Sequence, residues 1–109
     1  MTLHIPTPLI ESRPLSLAAD CTVWLKLEAL QPCGSFKLRG VAHACEFHHG
    51  RGAKRFVSSS GGNAGLAVAY VGRKLGLPVT VVVPETTTAR AQQLLRLEDA
   101  EVIVHGQSW

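Results

Sequence analysis

A chain of 109 residues with 46% apolar and 17% charged side chains is long enough to bury one core and too apolar to stay disordered. Its net charge of +3 comes from eleven scattered lysines and arginines, adjacent only at Lys54-Arg55 and Arg73-Lys74, so it lacks the basic stripe and interleaved aromatics of a nucleic-acid binder. No apolar run approaches a bilayer span, Met1 to Pro6 lacks the pattern of a signal peptide, and Cys21, Cys33 and Cys45 form no C-x-x-C pair. The expectation is a cytoplasmic protein with reduced thiols and neither nucleic-acid nor membrane partners.

From Thr22 to Glu28 the residues alternate, with Val23, Leu25 and Leu27 on one side, which is strand periodicity. Gln31 to Gly34 is a turn. A helix then starts near Ser35 or Lys37, with Leu38, Val41, Ala42 and Cys45 on one face, and ends at His48 to Gly52. Phe56-Val57-Ser58 reads as a short buried strand. A helix from about Asn63 to Leu75 follows, with Gly76 where a left-handed C-cap is wanted. Pro78 to Val83 is a β-branched strand. Thr86 to Thr88 offer N-caps for a helix that points Ala91, Leu94 and Leu95 inward, and Glu101 to Val104 is the last strand. Strand, helix, strand, helix, strand with short connections demands a parallel α/β sheet with right-handed crossovers.

Two segments carry candidate chemistry. Gln31-Pro32-Cys33-Gly34-Ser35-Phe36-Lys37-Leu38-Arg39-Gly40 puts an amine where a turn becomes a helix. Ser58-Ser59-Ser60-Gly61-Gly62-Asn63-Ala64-Gly65 puts hydroxyls, glycines and an amide where a strand becomes a helix. Both are places where backbone N–H groups and a nucleophile meet a small anion. Partial desolvation at a helix N-terminus lowers the pKa of a lysine, as Schiff-base chemistry requires. The plainer readings are a surface lysine at Lys37 and an ordinary Ser or Asn N-cap in the loop. The dinucleotide fingerprint G-x-G-x-x-G is absent. Adjacent His48 and His49, and isolated His4, His43 and His105, have no metal-ligand spacing. Trp24 and Tyr70 read as packing residues. Arg39 reads as an ion-pair partner or a surface residue.

Lys26-Leu27-Glu28, Gln31-Pro32, Gly34 to Lys37, Arg39-Gly40 and the Ser-Ser-x-Gly-Asn-Ala-Gly loop together resemble the pyridoxal-phosphate (PLP) enzymes of fold type II, most closely the serine/threonine dehydratases. The resemblance implies a three-layer αβα small domain of the tryptophan synthase β-like architecture, here incomplete. Residues 1–30 would belong to the large cofactor domain and residues 31–109 to most of the small domain. It implies that Lys37 carries PLP as a Schiff base, that Phe36 packs on the cofactor ring and that Asn63 bonds the ring hydroxyl. Ser60, Gly61, Gly62, Asn63 and Ala64 would hold the substrate carboxylate, with Ser60 also near the reacting centre.

The implied reaction is deamination of L-serine to pyruvate and ammonia, with L-threonine, giving 2-oxobutanoate, as a second candidate substrate. Full-length family members would be homodimers. Related alternatives are serine racemase, threonine synthase and cysteine synthase-like enzymes, or a non-catalytic fragment. The family's glycine-rich phosphate loop does not occur in these 109 residues, so the expectation is an N-terminal fragment, inactive alone. Three positions depart from the pattern: Cys33 replaces the usual Ser or Thr, as a tolerated swap. Gly61 replaces Ala, which is expected to widen the loop. Asp99 replaces Gly at a helix end, with some expected strain.

Overall fold

The computed structural model describes residues 2–109. Its organising element is a three-stranded parallel sheet, β3 (Phe56–Ser58), β4 (Val79–Val83) and β5 (Glu101–Val104), in the order β3-β4-β5. Phe56 pairs with Val79, and Val81 with Val102. Strand periodicity then sends Val79, Val81 and Val83 to one face, where they are buried against Ala69, Leu95 and Ala100. The crossover helices α3 (Asn63–Leu75) and α4 (Ala89–Leu97) supply Ala69 and Leu95, and Ala100 stands just before β5. Gly72 lets α3 settle on β4, because a Cβ there would collide with the Val79 side chain. Gly76 closes α3 in the left-handed region, at φ 71°.

Among the described residues no helix packs on the other sheet face. Val57 is 66% exposed and Ile103 42% exposed. Thr80 is covered only by side chains, donating to Glu101 Oε2 at 3.0 Å and accepting from Arg55 Nη2 at 2.6 Å. Of the three expected layers the chain contains the sheet and one helical layer, which fits its shortest dimension of 20 Å. The strand at 56–58 forms as read, but on an edge and with Val57 in solvent rather than buried.

Helix α2 (Lys37–Gly50) packs along α3 through Leu38, Ala42 and Cys45 against Ala67, Tyr70 and Val71. Before it, β1 (Leu9–Glu11) and β2 (Trp24–Lys26) form a separate antiparallel ribbon around α1 (Arg13–Ala19), and Glu28–Leu30 makes one 3₁₀ turn. The strand expected over Thr22–Glu28 shrinks because the chain turns into that 3₁₀ segment. Periodicity gives no sign of β1 and α1. Ser12, which accepts from the Leu15 N–H, and a proline in the first turn are the signals for α1. Tyr70 is buried as a packing residue, whereas Trp24 is 55% exposed, because the ribbon offers it no opposing layer.

Asp99 sits at φ 61° after α4, the left-handed geometry that the replaced glycine would adopt freely. Asp99→Gly should therefore stabilise the fold by about 1 kcal/mol. The expected reading is a higher denaturant midpoint at unchanged slope.

Candidate functional site

Both motif segments open helices, and the topology brings those openings to one edge. Helix α2 enters β3 through the short connection 51–55, and α3 enters β4 through 76–78. The starts of β3 and β4 are paired, so both helices end at the same sheet edge. Packed side by side, they both begin at the opposite edge, beside the carboxyl ends of the strands.

Side-chain capping separates these two helices from the others. Ser12 caps α1, and Thr88 caps α4 by accepting from the Ala91 N–H at 3.1 Å. Among the described residues no side chain caps α2 or α3, and at α2 the Leu38 and Arg39 N–H groups bond the Ser35 and Phe36 carbonyls instead. The N-cap reading of the serine loop therefore fails. Ser60 Oγ accepts instead from the Gly62 N–H at 3.2 Å, and Ser58 Oγ from the Ser60 N–H at 3.3 Å, which braces the loop internally. The first N–H groups of α3 are left for another acceptor.

Gly65, in the motif but without a sequence-level role, sets the loop's shape: a Cβ there would overlap the Ser60 carbonyl oxygen. Gly61 corrects an expectation. A methyl at this position would lie 3.1 Å from Val83 Cγ1 and 3.2 Å from Thr87 Cγ2. Its absence therefore relieves contact with the body of the domain and does not widen the loop's open side. Gly61, Gly62 and Asn63 line a shallow depression of about 190 Å³ with Leu66, Ala91, Leu94 and Leu95. Asn63 is exposed there, and Ser60 and Ala64 are half-buried.

Lys37 is the first residue of α2 and is exposed, with Nζ 5.2 Å from the centroid of the Phe36 ring. Phe36 is itself 58% exposed. Both line a second depression, of about 390 Å³, with Arg39, Gly40 and Val41. Lys37 and the 60–64 loop thus share an edge but not a pocket, and the expected desolvation of Lys37 is not supplied by these residues. The preceding turn needs Gly34, at φ 85°. Cys33 is buried against Leu38, Ala42 and Tyr70, and burial pushes its thiol above the ordinary value. An inert, apolar filling role suits that setting and agrees with a tolerated swap. Ser35 is also buried, and among the described residues its hydroxyl has no partner.

Sequence reasoning missed Glu28. Its Oε1 accepts from Arg39 Nε at 2.8 Å and from Thr7 Oγ1 at 3.1 Å, and its Oε2 accepts from Gln31 Nε2 at 2.8 Å. The Arg39 hydrogen bond above all, with those from Gln31 and Thr7, holds its carboxyl down to about 2 from 4.5. The Lys26-Leu27-Glu28 motif beside Arg39 was the available signal.

An exposed amine beside an aromatic face, the open N-terminus of α3 and an unpaired buried hydroxyl fit a phosphorylated aldehyde cofactor. The chain belongs to the pyridoxal-phosphate dependent enzyme family, whose sequence model matches residues 1–109. It is 50% identical over 106 residues to the serine dehydratase-like protein of Homo sapiens, covering 97% of this chain and 32% of that one. It is 51% identical to the L-serine dehydratase/L-threonine deaminase of Bos taurus, with the same coverage. Among solved structures, the L-serine ammonia-lyase of the fungus Rhizomucor miehei superposes with a TM-score of 0.88 at 39% identity, over 100% of this chain and 35% of the other. The α/β fold is that of the fold type II PLP enzymes, and the chain spans about a third of the length of these relatives.

Two outcomes follow. A carboxyl whose folded pKa is depressed adds stability above its unfolded pKa and loses it as pH falls towards the folded one. Glu28→Gln should destabilise the chain above pH 4.5, and its deficit in thermal midpoint should disappear as pH approaches 2. Gly65→Ala should cost about 1–3 kcal/mol in chemical denaturation, by forcing the Ser60 carbonyl aside.

Proposed function

We propose that these residues are the lysine-bearing part of a PLP-dependent ammonia-lyase acting on L-serine, and on L-threonine. The observation that carries this reading is that the first residue of α2, Lys37 beside Phe36, and the open start of α3 lie at the same end of the parallel sheet. The close identity to serine dehydratase and threonine deaminase proteins supports the choice of substrate class. Because the chain spans about a third of those relatives, the activity is assigned to the full-length gene product.

In this reading the Lys37 amine would hold the cofactor, and as a free amine it would accept the substrate's α-proton. PLP, when bound, supplies the electron sink for the pair left on the α-carbon. The N–H groups of the 60–64 loop receive the substrate carboxylate at the positive end of α3. Asn63 would bond the cofactor's ring hydroxyl, and Ser60, whose oxygen already accepts from Gly62, would have its proton free to donate near the reacting carbon. Phe36 keeps water from one face of the ring. Loss of the β-hydroxyl as water leaves aminoacrylate, which takes up water to give pyruvate and ammonia; threonine gives 2-oxobutanoate.

The separate ribbon of residues 9–26 and the α/β unit after it support assigning residues 1–30 to a large cofactor domain and 31–109 to a small one. Three free cysteines support a cytoplasmic setting. A homodimer is the assembly we propose for the full-length protein.

Borohydride reduction of the PLP-treated gene product, followed by peptide mass mapping, should place the pyridoxyl group on Lys37. Lys37→Ala should abolish both the label and pyruvate formation from L-serine. A label on another lysine would refute the reading.

A further inference from the structure

Glu28 joins three segments that are distant in the chain. Arg39 Nη2 approaches its Oε1 at 2.7 Å, beside the Nε contact on the same oxygen. Thr7 and Gln31 occupy the rest of the carboxylate. Gln31 also closes a two-bond ring with Ile5: the Ile5 N–H donates to Gln31 Oε1 at 2.9 Å, and Gln31 Nε2 donates to the Ile5 carbonyl at 2.8 Å. Gln31 is 3% exposed and Thr7 7% exposed, so this corner is packed as well as bonded.

Arg39 is the third residue of α2, two past Lys37. Side chains two apart on a helix point to nearly opposite sides. Arg39 and Lys37 nonetheless border one depression, so anchoring Arg39 tethers the first turn that carries the Lys37 amine beside Phe36. Leu38, fully buried, and the backbone bonds from the Leu38 and Arg39 N–H groups to the Ser35 and Phe36 carbonyls hold the same turn, and the Arg39 clasp adds the tether on its outer side. Charge-assisted bonds to a nearly buried carboxylate are stiff enough for the task.

We infer that Glu28 is a positioning residue, which holds Arg39 against the Thr7–Gln31 corner and so aims the Lys37 amine into the site. The inference rests on the reading of Lys37 as the cofactor lysine. A misplacement near 1 Å at a reacting group costs about 100-fold in rate, so the aim of this amine is worth a dedicated anchor.

The test uses the full-length gene product, treated with PLP and borohydride, with the label on Lys37 measured relative to the other lysines. Glu28→Gln should lower the Lys37 label about tenfold or more, and lower kcat for L-serine while KM stays within about twofold. Arg39→Lys keeps the charge but not the two-nitrogen contact, and should fall between parent and Glu28→Gln. Parental labelling and kcat per PLP-loaded molecule in Glu28→Gln would overturn the inference and leave the pair as a stabilising contact only. Should Glu28→Gln not fold, Arg39→Lys decides, and unchanged labelling there overturns the inference. A parental protein labelled elsewhere than Lys37 overturns the reading of the site and this inference with it.

Discussion

The carboxylate of Glu28 is the contact on which the placement of the site depends. It lies in a one-turn 3₁₀ segment, between an N-terminal ribbon that shares no sheet with the rest and the helix that carries Lys37. A carboxylate with side-chain exposure of only 15% is tolerable because all its company is donors: a guanidinium, an amide and a hydroxyl. The same donors keep it charged far into acid. Without it, Arg39 would be left beside Thr7 and Gln31 with no acceptor, and the residues before α2 would lose their link to the helix.

Around that anchor the chain divides its helices by how they begin. Helices α1 and α4 end their N-termini with a hydroxyl cap, as a stable helix does. Helices α2 and α3 begin with glycines, serines and an aromatic residue, and give up that stabilisation, typically about 1 kcal/mol for each cap. At α3 the first N–H groups stay open, whereas at α2 the Ser35 and Phe36 carbonyls take up two of them. Gly65 shows the same preference: it is not at a turn, yet only its missing side chain lets the serine loop fold over the start of α3.

The sheet is equally one-sided. Val79, Val81 and Val83 are packed under α3 and α4, while Val57 and Ile103 on the reverse face stay in solvent. Leu9, Ile10 and Trp24 of the ribbon are exposed too. Parallel sheets are normally covered on both faces. A chain about a third as long as its relatives carries one of the two covers.

Much of this was legible in the sequence. The β-branched run from 79 to 83, the apolar stripes of α2 and α3, Gly76 and Thr88 are local statements, and period and propensity decide them within one element. The lysine and serine-loop motifs pointed to the family because such motifs are contiguous in the chain and their residue types and spacing can be read directly. Periodicity missed β1 and α1, which are too short to show a period, and it could not see that the reverse face of β3 is bare, since burial depends on what lies opposite. The direction of a methyl at Gly61, the unpaired hydroxyl of Ser35 and the separation of the two depressions are likewise relations between elements. So is the clasp of Glu28 on Arg39, eleven residues away. The sequence by itself determined which groups are available and which elements carry them. Only the tertiary structure decided which of those groups meet, because distance and orientation across a turn depend on how whole elements pack and not on the order of residues along the chain.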